Sequence, residues 1–139
     1  MNDTTISRLQ ERLLAGKFAV TAECGPPRGS DAQVVCKKGK KLQGVVDAVN
    51  VTDNQTAVVR MSSVAGAKIL LDEGLEPVMQ MTCRDRNRIA IQSDLLGASA
   101  LGITNCLCIS GDHQKASAAG KRKGHPGAKN VFDVDSIQL

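Results

Sequence analysis

Apolar runs a few residues long recur along the chain between polar, helix-forming stretches, and four of them end in a polar residue at a regular interval. The runs are Phe18–Glu23, Ala48–Thr52, Pro77–Thr82 and Cys106–Asp112. Their last residues lie about 30 positions apart, the length of one strand followed by its crossover helix. In parallel α/β folds the C-terminal strand ends are where ligands bind and chemistry happens. The pattern therefore predicts a fold, a face of the molecule and a short set of candidate residues.

The stretches between the runs carry helix signals. Ile6, Leu9, Leu13 and Leu14 fall on one face of a helix over 4–15, with Asp3 or Thr4 as cap and Gly16 as stop. This helix precedes the first strand, so it is expected to cover the bottom of a barrel or the outside of a sheet. Gly25-Pro26-Pro27-Arg28-Gly29 makes a stiff loop at the end of the first strand. Ser30 or Asp31 caps a second helix running to Leu42, although Gly39 and four lysines weaken its middle. A third helix starts from Thr56 with Val58, Met61, Ala65 and Ile69 as its apolar stripe and closes at Gly74. A fourth carries Ile91, Leu95 and Ala98 on one face and stops at Gly102. Residues 114–130 read as a long polar loop, and Val131–Leu139 as the start of another helix capped by Asp133 or Asp135.

With 139 residues, one domain is expected. Four strand–helix units are about half of an eight-stranded barrel, which typically needs ~250 residues. The chain thus reads either as a small open α/β sheet or as part of a larger barrel.

Composition narrows the function. The chain is 42% apolar but holds two Phe and no Tyr or Trp, so its core is aliphatic. Modules that stack bases on aromatic faces are disfavoured, and no nucleic-acid partner is expected. The net charge of +4 is concentrated in Lys37–Lys41 and Lys121–Lys123. These clusters suit a solvated surface, or attraction of phosphates or polycarboxylates. A small module binding an anion through such basic loops is one reading of the whole chain. Five cysteines without a Cys-x-x-Cys pair or a signal peptide fit a reducing cytoplasm. No apolar stretch reaches transmembrane length, so no membrane partner is expected. Gly-x-Gly-x-x-Gly, P-loop and Gly-x-Ser-x-Gly motifs are absent.

Candidate chemistry gathers at the strand ends. Glu23 closes a strand beside a Gly-Pro-Pro loop, where desolvation would raise its pKa and suit a general acid; a loop-capping carboxylate stands level with that reading. Asp112 follows Gly111, whose missing side chain lets a ligand or backbone approach closely. It can accept hydrogen bonds from a heterocycle or serve as a turn aspartate. Thr52, Asp53, Asn54, Gln80 and Thr82 add neutral and acidic polar groups to the same rim. Cys24, Cys83, Cys106, Cys108 and His113 lie near strand ends, but no pair has finger-like spacing, and small buried thiols explain the cysteines better than a metal.

Four segments together carry a resemblance. Phe18–Gly29, Val51-Thr52-Asp53-Asn54, Gln80–Asn87 and Ser110-Gly111-Asp112-His113 resemble, in order, the first four strand ends of the methylenetetrahydrofolate reductase family. The resemblance covers residues 8–139. It implies a flavin-dependent (βα)8 TIM barrel, of which this chain supplies about the first four βα units. It also implies reduction of 5,10-methylenetetrahydrofolate to 5-methyltetrahydrofolate. The cofactor would be FAD or FMN, reduced by NAD(P)H or another donor. Glu23 matches the family's acid, which protonates the folate's N10. Asp112 matches the aspartate near flavin and pterin, and Thr52 the flavin-contacting threonine. Ser110 and Gly111 match backbone contacts of the fourth strand, and Phe132 and Asp133 a loop touching the flavin's ribityl or adenine portion. Gln80 stands where some members carry a flavin-contacting histidine, and Asp53-Asn54 where some carry Tyr-Gly. The family's later strands supply further contacts, so the resemblance leaves two readings. The chain is either the N-terminal half of a reductase or a non-catalytic accessory half-barrel whose partner completes the site. A homo-oligomer or hetero-complex is expected in both.

Overall fold

Each apolar run forms a strand in the computed structural model, which describes residues 7–114 and 124–139. The strands are β1 (Thr21–Cys24), β2 (Ala48–Val51), β3 (Pro77–Thr82) and β4 (Asn105–Ile109). They form one sheet in sequence order, every neighbouring pair parallel. Helix α1 (Arg8–Leu14) precedes β1, and α2 (Ala32–Leu42), α3 (Ser63–Asp72) and α4 (Arg88–Ala100) are the three crossovers. The result is an α/β fold with the strand arrangement of half a (βα)8 barrel; four strands do not close one.

The period of two along each strand divides the sheet into unlike faces. Cys24, Val49, Val51, Met79 and Met81 are buried under the helices, where they join Val35, Ala67, Leu70, Ala98 and Ile103 in the core. Burying each large aliphatic side chain stabilises the fold by about 1.5–3 kcal/mol. The opposite face carries Thr21, Glu23, Asn50, Gln80 and Leu107, all exposed or half-buried.

Local chemistry explains the helices. Asp31 caps α2 by accepting from the Gln33 amide. Val35, Cys36 and Gly39 face inward, leaving Lys37, Lys38, Lys40 and Lys41 on the solvated side. Gly39 costs α2 about 1 kcal/mol of helix propensity but provides the room for α2 to lie on α3. A Cβ there would meet Leu70 Cδ2 at 2.9 Å and Leu75 Cδ1 at 3.0 Å. Asn87 caps α4 through the Ala90 amide, with Ile91 and Ala98 buried as expected. Gly102 stops it at φ +82°.

Some expectations are corrected. Helix α1 begins at Arg8 behind a Ser7 cap; residues 4–6 and the caps Asp3 and Thr4 lie outside the described residues. Its Leu13 and Leu14 are exposed, and polar contacts hold it to the N-terminal strand ends instead. Ser7 donates to Asn105, Arg8 pairs with Glu76 and Arg12 with Asp47. Strand β1 starts at Thr21 because Phe18 to Val20 lie ahead of the first register partner, Ala48. Helix α3 starts at Ser63, with Ser62 capping the Ala65 amide. Thr56 has a left-handed backbone (φ +59°) and cannot begin a helix. The shift turns Gly66, Ala67 and Leu70 inward and leaves Ala65 exposed. At the tail the expected cap is Asp135 and not Asp133: it accepts from the Ile137 and Gln138 amides, and the Leu139 amide bonds its carbonyl at 3.1 Å. Lys121–Lys123 lie outside the described residues.

Gly66 sets how closely α3 approaches the sheet, since a Cβ there would meet Val51 Cγ1 at 2.9 Å and Pro26 Cγ at 3.3 Å. Gly66→Ala is expected to cost about 1–3 kcal/mol by overpacking, offset by no more than ~1 kcal/mol of helix propensity. Gly29→Ala, with open space around it, should stay within ~0.5 kcal/mol. Urea midpoints check both, and an unchanged midpoint for Gly66→Ala would refute the close α3–β2 contact.

Candidate active site

The rim at the C-terminal strand ends is built on two arginines. Asp53 follows β2, and its side chain has no exposed surface. It accepts from the Thr82 amide at 2.9 Å and from Arg86 Nη1 and Nη2 at 2.5 and 3.3 Å. Thr82 Oγ1 returns a bond to the Asp53 carbonyl at 3.3 Å, so the ends of β2 and β3 are tied in both directions. Arg86 Nε also donates to Asp94 on α4, at 2.8 Å. Burial opposes the Arg86 charge, but Asp53 and Asp94 outweigh it and hold its pKa above the ordinary value.

Arg84 ties the next pair of strands. It is 2% exposed, and its Nε and Nη2 donate to the two Asp85 oxygens at 2.7 and 2.6 Å. Nη2 also donates to the Asn54 carbonyl at 3.1 Å, and Nη1 to the Asp112 carbonyl at 3.2 Å. Its backbone amide bonds the Ser110 carbonyl, and its own carbonyl accepts from the Val131 amide. Gly111 lies against this group with φ +86°. Any Cβ there would overlap Thr82 Cγ2 and come within 3.2 Å of Arg84 Cβ, so only glycine fits.

These ties enclose a cleft of about 360 Å³, within the range of small-molecule sites. Glu23, Thr52, Gln80, Gly111 and Asp112 line it, over Asp53, Thr82, Arg84 and Ile109. Gln55 and Thr56 complete one wall from a turn in which Asn54, Thr56 and Ala57 all have left-handed backbones. Such strain in non-glycine residues concentrates at ligand sites. Thr52 is 3% exposed, and its buried hydroxyl has no hydrogen-bond partner. An unmet polar group of this kind costs about 1–3 kcal/mol, and a ligand with a complementary atom removes that cost. A second cleft of about 320 Å³ lies on the other side of Arg84, lined by Asn54, Ala57, Val58, Gln114, His125 and Lys129 among others.

Of the residues expected from the sequence, Glu23, Thr52, Asp53, Gln80, Gly111 and Asp112 come together in the first cleft. The burial expected of Glu23 is not met. Glu23 is exposed, because it lies on the open polar face of the sheet and the Gly-Pro-Pro loop does not cover it. Asp53 spends both oxygens on the Thr82 amide and Arg86. Ser110, Phe132 and Asp133 fall outside the cleft. Ser110 Oγ bonds Ser136, and Phe132 is half-exposed with φ +44°. Asp133 accepts from the Arg88 amide and side chain, fixing the tail to the start of α4. Burial pushes the Cys24 and Cys83 thiols up, so they pack as small apolar groups. No role for Arg84 or Arg86 follows from the sequence pattern alone. The available signal was their spacing: two arginines flanking an aspartate directly after a buried strand.

Asp53→Ala is expected to lower stability by about 3 kcal/mol, the lower end of the cost of stranding one member of a buried pair, since Asp94 still partners Arg86. A loss under ~1 kcal/mol by urea unfolding would contradict the tie. A milder effect is expected at the tail. The Arg88 hydrogen bonds hold the Asp133 carboxyl below its usual 3.8. A depressed carboxyl pKa stabilises the docked tail above the unfolded pKa, and the effect fades as pH falls through the folded one. The protection of the Arg88 amide from exchange, relative to its intrinsic rate at each pH, should therefore be full at neutral pH and be lost only below about pH 4. Asp133→Asn should weaken that protection throughout.

No helix among the described residues is long and apolar enough to cross a membrane. No curated protein matches the chain significantly. The family model described as methylenetetrahydrofolate reductase matches residues 8–137, a span that includes all four strands and every residue of the cleft. A parallel α/β sheet whose strand ends converge on one polar cleft agrees with that match. The chain belongs to the methylenetetrahydrofolate reductase family, a family of oxidoreductases associated with folate reduction.

Proposed function

We propose that the cleft serves the flavin-dependent reduction of 5,10-methylenetetrahydrofolate to 5-methyltetrahydrofolate, as the N-terminal part of a (βα)8 barrel. The observation that carries this reading is the buried, unpartnered Thr52 hydroxyl in a cleft shared with Gln80, Gly111 and Asp112. A planar heterocycle has edge atoms for the Thr52 hydroxyl and the Gln80 amide, and Gly111 lines the same cleft. These residues therefore fit a flavin, FAD or FMN, which when bound and reduced by NAD(P)H or another donor supplies the hydride. Asp112 orients the pterin and tunes the charge at the ring. Ser110, Phe132 and Asp133, outside the cleft, would meet only the flavin's ribityl or adenine portion.

Glu23 is the proton donor. It stands on the polar sheet face beside Asn50 in register and lines the cleft. Protonating the folate's N10 opens the methylene bridge to an electrophilic iminium. Enclosure by the substrate and by further strands would exclude water from Glu23. The open polar face also favours a second reading, an accessory half-barrel that binds flavin and folate only with a partner. The five free cysteines suit a cytoplasmic setting.

Visible absorption of the purified chain, alone and after adding flavin, tests the reading. A bound-flavin spectrum that bleaches anaerobically with methyltetrahydrofolate is expected, and a protein that takes up no flavin would overturn it for the chain alone. Thr52→Val should weaken flavin binding roughly tenfold, the worth of one buried hydrogen bond. Glu23→Gln should slow folate reduction by about 10²–10⁴ while flavin reduction by the electron donor stays near wild type. Equal loss in both half-reactions would remove Glu23 from the role of acid.

A further inference from the structure

Arg84 is fully formed as a clamp before any ligand arrives. A guanidinium offers five N–H donors in a rigid fork, and here four hydrogen bonds fix it: two to Asp85, one to the Asn54 carbonyl and one to the Asp112 carbonyl. The bidentate pair with Asp85 neutralises the charge, so this buried arginine is not a free cation waiting for an anion. Two further donors go to backbone carbonyls on opposite sides of β3. One belongs to the strained turn after β2, the other to the residue that follows Gly111. Gly111 has φ +86°, a left-handed conformation in which the place of a side chain is already taken by Thr82 and Arg84. The Arg84 hydrogen bond holds the Asp112 carbonyl.

We propose that Arg84 is the positioning residue of the cleft: by gripping the carbonyls of Asp112 and Asn54 it aims the Asp112 carboxylate and holds the turn that forms the opposite wall. The proposal rests on the assignment of Asp112 to the reaction, and it adds the residue through which that carboxylate is set. Lysine cannot replace it, because a single ammonium cannot bond Asp85 in two-point fashion and still reach both carbonyls.

The test has two arms, both on the full-length protein. The first reads backbone carbonyl ¹³C shifts without ligand. In Arg84→Met, Asp112 and Asn54 should shift well beyond the change at Val49 and Met79, and Arg84→Lys should restore at most one of the two. Unmoved Asp112 and Asn54 carbonyls would overturn the proposal. If Arg84→Met does not fold, Arg84→Lys alone decides this arm: at least one carbonyl must move. The second arm is a double-variant cycle in kcat/KM for folate reduction. Arg84→Met and Asp112→Asn should each lose at least tenfold, and the double variant no more than twofold beyond the worse single. Losses that multiply, or an Arg84→Met within twofold of wild type, would overturn it. A wild-type protein that neither binds flavin nor reduces folate would overturn the assignment of Asp112 instead, and the carbonyl shifts would still decide whether Arg84 grips the rim.

Discussion

A carboxylate with no exposed surface organises this molecule. Asp53 sits where β2 leaves the sheet, and desolvating it without partners would cost several kcal/mol. The fold answers with a backbone amide from Thr82 and both Arg86 nitrogens. Because those donors come from the end of β3 and the loop beyond it, meeting the needs of one buried charge fixes two strand ends relative to each other. Asp94 extends the same constraint to α4. Arg84 then repeats the device one step further, joining Asn54, Asp85 and Asp112. The rim's buried charges are met by groups within the rim itself.

Other polar groups of the rim are not spent on these ties. Thr52 keeps an unpartnered buried hydroxyl, and Glu23 and Gln80 face open space on the polar side of the sheet. Stability comes from the other side, where the helices bury Val49, Val51, Met79 and Met81 against Val35, Ala67 and Leu70. One sheet thus has two unlike faces by its period of two: the face under the helices packs, and the other face presents polar groups. Helix α1 closes the N-terminal ends through Ser7, Arg8 and Arg12, so the C-terminal ends are where polar groups remain available.

Much of this was legible in one dimension. Strand positions follow from apolar runs at a fixed interval, and β3 begins and ends where its residues predict. The caps Asp31 and the stops Gly74 and Gly102 are local chemistry, read from a few neighbouring residues. Six candidate site residues converge because strand ends in a parallel sheet must lie on one rim. The failures are equally physical. Thr56 is a good capping residue by type, but a left-handed turn removed it from the helix. Leu13 and Leu14 read as a buried face, yet nothing among the described residues covers them. The Glu23 environment depended on what stands across the sheet, and no local pattern encodes that.

The sequence by itself determined the parallel α/β plan, the family and the rim on which the polar residues gather, because periodicity and strand-end position are short-range properties. Only the tertiary structure decided what each rim residue does. Asp53 and Arg86 find each other 33 residues apart, Arg84 and Asp112 28 apart, and Asp133 and Arg88 45 apart. Whether a carboxylate is a structural anchor, a tail latch or an open group facing a cleft is set by which donor the fold brings within 3 Å of it, and by how much water the same packing excludes.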